Sequence, residues 1–141
     1  MTSTTFFQAG SLNDWKQWSF KHPLLPRPAP GKLFLGDKLE LTGMEVSLNT
    51  LPAGQGMPFY HRHRQHEEVY IILSGEGEFQ VDGERLAVQE GSTLRMSPEV
   101  VRAWRNTGSE PLVYLVIQAV EDSLKQHGIN DGEAVPGAVV W

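Results

Sequence analysis

Cysteine is absent from this sequence of 141 residues. Its absence excludes disulfide bonds, thiolate metal ligands and cysteine nucleophiles. Long apolar runs are also missing, since the longest strongly apolar stretch, residues 112–117, is far shorter than the roughly 20 residues that span a bilayer. Basic residues are few, with 12 Lys and Arg against 17 Asp and Glu, so general binding to nucleic acid is not expected. We expect a soluble, cytoplasmic protein with neither nucleic acid nor a membrane as its partner.

The length suits one domain, at roughly 150 residues per domain. Its first part, residues 1–32, has no sustained hydrophobic period and contains four prolines that each fix φ and remove a backbone donor: Pro23, Pro26, Pro28 and Pro30. This pattern predicts an extended N-terminal arm without a helix. The arm is rich in aromatic residues, so we expect it to pack on the body of the protein or on a second subunit.

Residues 33–118 consist of short β-type segments separated by turn signals, a spacing typical of an all-β sandwich or barrel. The pair Asp82 and Gly83 is a strong signal for a tight hairpin turn. Residues 120–127 favour a short helix. The sequence therefore predicts three parts: an N-terminal arm at 1–32, a β-barrel domain at 33–118, and a short helix with a C-terminal tail at 119–141.

Three histidines, His61, His63 and His66, lie within six residues, and two glutamates follow them. On a strand the side chains of His61 and His63 point to the same face, so two imidazoles can converge on one point. A carboxylate from the next strand would complete a set of two nitrogens and one oxygen, which suits Fe(II), Mn, Ni or Zn. We expect His66 to lie in the turn between strands and to face solvent, with an alternate metal ligand or a proton shuttle as its other possible roles.

The surroundings of this cluster resemble the first motif of the cupin superfamily: a glycine, His-x-His, three or four residues, a glutamate, six residues and a glycine. His61 and His63 match the histidine pair. Six residues separate Glu68 from Gly75, which selects Glu68 and not Glu67 as the glutamate of the motif. The resemblance implies a double-stranded β-helix, that is, a jelly-roll barrel of antiparallel strands. It also implies a divalent transition metal, Fe, Mn, Ni or Zn, held by His61, His63 and Glu68.

The second cupin motif is present in a degenerate form between Gly91 and Asn106. Where metal-binding cupins supply a histidine as fourth ligand, this sequence has Arg102, which stays protonated and has no lone pair to offer a metal. Two roles for Arg102 remain open. Its planar guanidinium can clamp a carboxylate or phosphate of a substrate, or it can form a salt bridge to Glu68 that occupies the metal position.

Strand alternation adds further candidates for a pocket. Side chains that share a strand face with Glu68 or Arg102 are expected inside the barrel, as pocket walls or as plain core: Tyr70 and Trp104. Ser47 and Asn49 lie on the polar face of their strand, which faces either a wet or ligand-filled interior or the solvent. Together with Arg102, these four residues are the candidate substrate-binding residues.

Three classes of function fit these observations. The first is a metal-dependent enzyme that acts on a small polar or acidic molecule, as an oxygenase or as an isomerase. The second is a metal-free isomerase or epimerase with a histidine as base and Arg102 as anchor. The third is a non-catalytic module that binds or senses a small molecule, because a fold does not determine function. The sequence leaves open whether the protein is an enzyme, and it favours a homodimer, since symmetric dimers are the commonest oligomers.

Overall fold

The computed structural model describes residues 3–141, which contain two short helical segments and ten strands. The helical segments are a 3-10 helix (Leu12–Gln17) and α1 (Gly36–Leu39), and neither has the length and apolar character needed to cross a bilayer. The strands are β1 (Ser19–Phe20), β2 (Ala29–Pro30), β3 (Lys32–Phe34), β4 (Glu45–Leu51), β5 (His66–Ser74), β6 (Glu76–Val81), β7 (Glu84–Gln89), β8 (Thr93–Met96), β9 (Arg102–Asn106) and β10 (Leu112–Val120).

The strands pair antiparallel throughout and form two sheets and one small ribbon. The larger sheet has five strands in the order β3-β4-β10-β5-β8, and the smaller sheet has three in the order β7-β6-β9. The ribbon joins β1 to β2. This is the jelly-roll, double-stranded β-helix architecture that the sequence predicts, so the predicted all-β fold is confirmed.

The main core lies between the two sheets, because alternate residues of each strand face inward. Tyr70 and Ile72 from β5 meet Phe79 from β6 and Trp104 from β9, and all four are buried. The ring centroids of Tyr70 lie 5.1 Å from Phe79 and 5.2 Å from Trp104, at steep interplanar angles. Edge-on pairs of this kind add about 0.5–1.5 kcal/mol each beyond their burial.

The N-terminal arm covers the outer face of the five-stranded sheet of its own chain. Trp15 is buried there against apolar residues of the sheet: Leu33, Leu48 and Val113. The arm also contains a helical turn, so the prediction of an arm without a helix is wrong at Leu12–Gln17. The reason is a local cap, in which the Asp14 carboxylate accepts hydrogen bonds from the backbone N–H and the hydroxyl of Ser11.

Two turns show why the sequence has glycine where it does. Asp82 and Gly83 have φ values of 47° and 88°, and this pair of positive values forms the predicted hairpin turn between β6 and β7. Gly75, the last glycine of the first motif, has a φ of 90°, and a Cβ at this position would lie 2.4 Å from the carbonyl oxygen of Pro111. Any larger residue at position 75 would clash with the chain that leads into β10.

The predicted C-terminal helix does not form, and residues 121–141 contain only turns, bends and irregular chain. Val120 still belongs to β10, where it pairs with His66, and Asp122 then adopts a left-handed φ of 65°. Leu124 remains 62% exposed, so a helix here would have no apolar surface on which to pack. A short helix without tertiary packing is marginal in water, which is why the local helix signals were misleading.

Candidate metal site and adjoining pocket

The loop between β4 and β5 carries the two histidines of the first motif. His61 and Arg102 exchange two backbone hydrogen bonds of 3.1 Å, and the backbone N–H of His63 donates to the carbonyl of Pro98 at 2.8 Å. Apart from the bridge at His61, residues 59–65 form no strand, so the prediction that both histidines lie on a strand is wrong. The anchored loop nevertheless brings both imidazoles to the same place.

The imidazoles of His61 and His63 converge on Glu68, whose backbone belongs to β5. The Nε2 atoms lie 3.5 Å (His61) and 3.2 Å (His63) from Glu68 Oε1, and the three donor atoms all lie within 4.8 Å of one another. His66 is not part of this set. It is the first residue of β5, not a turn residue, and it is half-buried, with Nδ1 2.7 Å from Oε1 of Gln118.

The chemistry of this donor set fits a divalent cation. Although Nε2 of His63 is close to Glu68, the geometry does not make a hydrogen bond, and this buried atom has no hydrogen-bond partner among residues 3–141. Buried polar atoms in folded proteins nearly always have a partner, so a ring nitrogen of this kind calls for a ligand. Two imidazole nitrogens and one carboxylate are donors that borderline first-row ions accept.

Glu68 is held in its ionised form. Its Oε1 accepts hydrogen bonds from the Tyr70 hydroxyl at 2.6 Å and from Arg102 Nη2 at 2.5 Å. Burial would raise the pKa of Glu68, but the polar groups around the carboxylate outweigh burial and keep this pKa well below its ordinary value: His61, His63, Tyr70 and Arg102. Both hydrogen bonds go to Oε1. The carboxylate is therefore an anion at any physiological pH.

A pocket of about 420 Å³ adjoins these three residues, a volume typical of small-molecule sites. Ser47 and Asn49 line this pocket and are buried. Of the two orientations that the sequence allowed, they therefore face the interior and not the solvent. Tyr70 and Trp104 form part of the wall and also belong to the core. Trp104 is fixed by a hydrogen bond from its Nε1 to the hydroxyl of Tyr114, whose pKa is raised by burial.

Comparison with known proteins identifies the family. The family described as Cupin domain matches residues 47–118, about half of the chain and the part that holds the histidines, the glutamate and most of the barrel. The chain belongs to the cupin family.

Solved structures extend this likeness beyond the matched segment. A cupin protein from Bacteroides fragilis is 39% identical, with a TM-score of 0.71, over 84% of this chain and 98% of that protein. A protein provisionally named a sugar phosphate isomerase, from Acidithiobacillus ferrooxidans, is 26% identical with a TM-score of 0.66, over 83% of this chain and 76% of that protein.

An uncharacterized protein of Methanocaldococcus jannaschii is 36% identical over 55 residues, which are 39% of this chain and 44% of that protein. This cupin therefore spans less than half the length of that curated relative.

Arg102 marks the departure of this cupin from the second motif. Its side chain is fully buried, and besides its bond to Glu68 it donates from Nη1 to the carbonyl of Val100 at 2.6 Å, with longer contacts to Tyr70 and the carbonyl of Pro98. The salt bridge to Glu68, one of the two roles left open by the sequence, is formed. The guanidinium does not line the pocket, and it bonds to Oε1, the same oxygen of Glu68 that the two histidines approach.

Lys32 is a pocket residue of this cupin that sequence reasoning missed. It lies on β3, and its Nζ donates to Asn49 Oδ1 at 2.8 Å and to Ser47 Oγ at 3.2 Å. Burial lowers the pKa of Lys32 from 10.5 to about 8, although Glu68 and Glu45 act in the opposite direction. The signal available in the sequence was a lysine in the short alternating segment just before the barrel.

Proposed function

We propose that this cupin binds one divalent first-row transition metal ion through His61, His63 and Glu68 and a small polar or acidic molecule in the adjoining pocket. The observation that carries the proposal is the buried Nε2 of His63, which has no hydrogen-bond partner among residues 3–141 and lies beside an ionised carboxylate and a second imidazole. Fe, Mn, Ni and Zn all accept this donor set.

Held by His61, His63 and Glu68, an ion of this class would supply a Lewis acid next to the bound molecule. The residues of the chain prepare the site for that chemistry. Arg102 and Tyr70 hold Glu68 in one orientation and keep it ionised. The aromatic side chain of Trp104 forms part of the pocket wall and belongs to the apolar core.

Two reaction classes suit such a site: oxygenation and isomerisation by proton transfer next to a carbonyl. The name of the Acidithiobacillus ferrooxidans relative favours isomerisation, at an identity of 26%. Isomerisation also needs a base close to the pocket. An imidazole that gives its lone pair to the ion cannot be that base, so His61 and His63 serve as bases only in the metal-free alternative.

The test is the metal content of protein purified without added metal, measured for the wild type and for single histidine variants. We expect about one ion per chain in the wild type and a loss of that ion in His61→Ala and His63→Ala. His66→Ala is the matched control, because His66 adjoins the loop but bonds to Gln118 and is not one of the three donors. The proposal would be refuted if the purified wild type contains no metal and if its melting temperature does not change when Fe(II), Mn, Ni, Co or Zn is added.

One observation favours a metal-free isomerase or epimerase as the second candidate. Arg102 already balances the charge of Glu68, and Lys32 adds a second cation near the pocket, so a divalent ion would join two positive groups and one negative group. In this reading His61 or His63 is the base. Catalytic turnover that persists after a chelator has removed all metal would support the metal-free enzyme over the metal-dependent one.

A further inference from the structure

The ammonium group of Lys32 makes two hydrogen bonds to residues 3–141 and keeps a third N–H donor for a ligand. Since β3 pairs with β4, Lys32 lies opposite Asn49, and its Nζ donates to the side chains of Asn49 and Ser47. Asn49 is itself fixed, because its Nδ2 donates to the carbonyl and the hydroxyl of Ser47. An ammonium group has three N–H bonds, so one remains for a molecule in the pocket.

Lys32 also has no direct ion-pair partner among residues 3–141, although Glu68 and Glu45 act on its charge from a greater distance. Both of its hydrogen-bond partners are neutral, and among residues 3–141 no carboxylate oxygen lies within 4.0 Å of its Nζ. A partly buried cation without a counter-ion costs free energy. An anionic group in the pocket would supply that counter-ion.

An aromatic wall surrounds this lysine. The Nζ of Lys32 lies 4.9 Å from the ring centroid of Phe34 and 5.9 Å from that of Phe20. The two rings are in edge contact at 5.8 Å, and His22 and Phe59 continue the wall with centroids 4.8 Å apart. All four rings line the pocket, so an apolar molecular body has a surface on which to pack.

The alternative anchor, Arg102, is less suited to hold an acid. Its side chain has no exposed surface, and its nitrogens already donate to Glu68, Tyr70 and two backbone carbonyls. Arg62 also lines the pocket, but it is exposed, whereas Lys32 is half-buried, is held by Ser47 and Asn49, and keeps an unused N–H bond.

We propose that Lys32 is the anion anchor of this cupin and that its ligand is a small carboxylic acid whose aromatic or aliphatic body packs on the wall of Phe20 and Phe34. The inference rests on the proposed function in one respect, namely that the pocket takes a small acidic molecule. It replaces Arg102 with Lys32 as the residue that binds the acidic group.

The test compares benzoate with benzamide, which has nearly the same shape and no charge, by isothermal titration of protein as purified and after chelator treatment. We expect the wild type to bind benzoate at least tenfold more tightly than benzamide in both preparations. Lys32→Met should abolish this preference. Lys38→Met is the matched control, because it removes the same charge from a lysine that lies 5.5 Å from the ring of Phe7 and does not line the pocket.

Equal binding of the two probes by the wild type would overturn the inference, and so would a preference that persists in Lys32→Met. If Lys32→Met does not fold, Lys32→Gln provides the same comparison. The metal content of each sample separates this inference from the metal proposal. A metal-free wild type that still prefers benzoate supports the role of Lys32 and contradicts the metal site. A metal-loaded wild type that binds benzoate and benzamide equally supports the metal site and contradicts the role of Lys32.

Discussion

Arg102 and Glu68 form a buried ion pair, with Nη2 of the arginine 2.5 Å from Oε1 of the glutamate. The arginine side chain is 0% exposed and that of the glutamate 4%. Such a pair is costly to desolvate, and its net contribution to stability is small compared with the cost of removing one partner alone. The pair therefore fixes the orientation of the carboxylate more than it stabilises the barrel.

Removal of one partner should destabilise the protein strongly. We expect Glu68→Gln to lower the free energy of unfolding by about 3–5 kcal/mol, because Arg102 would then be a buried charge without a counter-ion. Arg95→Ala should have little effect, since Arg95 forms its ion pairs with Glu67 and Glu121 at the surface. Denaturant unfolding of the three proteins checks this prediction, and similar midpoints for all three would contradict it.

Arg102→His should restore the fourth ligand of the second cupin motif. A neutral imidazole next to Glu68 adds a nitrogen donor and removes a positive charge from the site, so Ni(II) should bind more tightly than to the wild type. Arg102→Gln separates the two effects, because it removes the charge without adding an imidazole. Isothermal titration of the three proteins gives the comparison, and equal Ni(II) affinities of wild type and Arg102→His would show that a histidine at position 102 does not become a fourth ligand.

Lys32 should make stability depend on pH in the alkaline range. Its pKa is about 8 in the folded protein and 10.5 in the unfolded chain, so between these values the unfolded chain binds more protons and stability rises with pH. The cost of holding Lys32 charged is fully present below pH 8. We expect the melting temperature of Lys32→Met, relative to the wild type, to be highest near pH 7 and to fall towards pH 10. A difference that stays constant from pH 7 to pH 10 would contradict the lowered pKa, and Lys38→Met provides the baseline.

The homodimer stays a prediction. Trp15 of the arm packs on the sheet of its own chain. Deletion of the arm would expose that apolar cluster and so could change the oligomeric state for reasons unrelated to a dimer interface. The C-terminal tail offers a better one, since its apolar side chains are exposed in the single chain: Val135, Val139, Val140 and Trp141. We expect light scattering at micromolar concentration to give a dimer for the full chain and a monomer after removal of residues 134–141. A full-length monomer would contradict the prediction.

The parts of the fold that depend on local patterns could be predicted. Alternation placed Tyr70 beside Glu68 and Trp104 beside Arg102 on inward faces, and the pair Asp82 and Gly83 located the hairpin. These features depend on neighbouring residues only, so the sequence contains all the information that they need.

The pocket could be predicted only in part, because it depends on contacts between distant residues. Lys32 becomes a pocket residue through its pairing with Asn49, 17 positions later. Strand alternation correctly predicted that the side chains of His61 and His63 converge. They converge, however, because their loop is hydrogen-bonded to β9 at Arg102, and not because both residues lie on a strand. The missing C-terminal helix shows the same limitation, since its local signals did not reveal that Leu124 has no surface on which to pack.

The position of β10 in the larger sheet has a consequence for synthesis on the ribosome. β10 lies between β4 and β5 and pairs with both, although it is the last strand to be made. Asn49 on β4 and Glu68 on β5 therefore cannot become members of one continuous sheet until residues 112–120 have left the exit tunnel. Up to that moment the nascent chain exposes two unpaired strand edges, which are prone to aggregation. Barrel closure and pocket assembly are thus a single late event, so a chaperone would have its greatest effect just before β10 emerges.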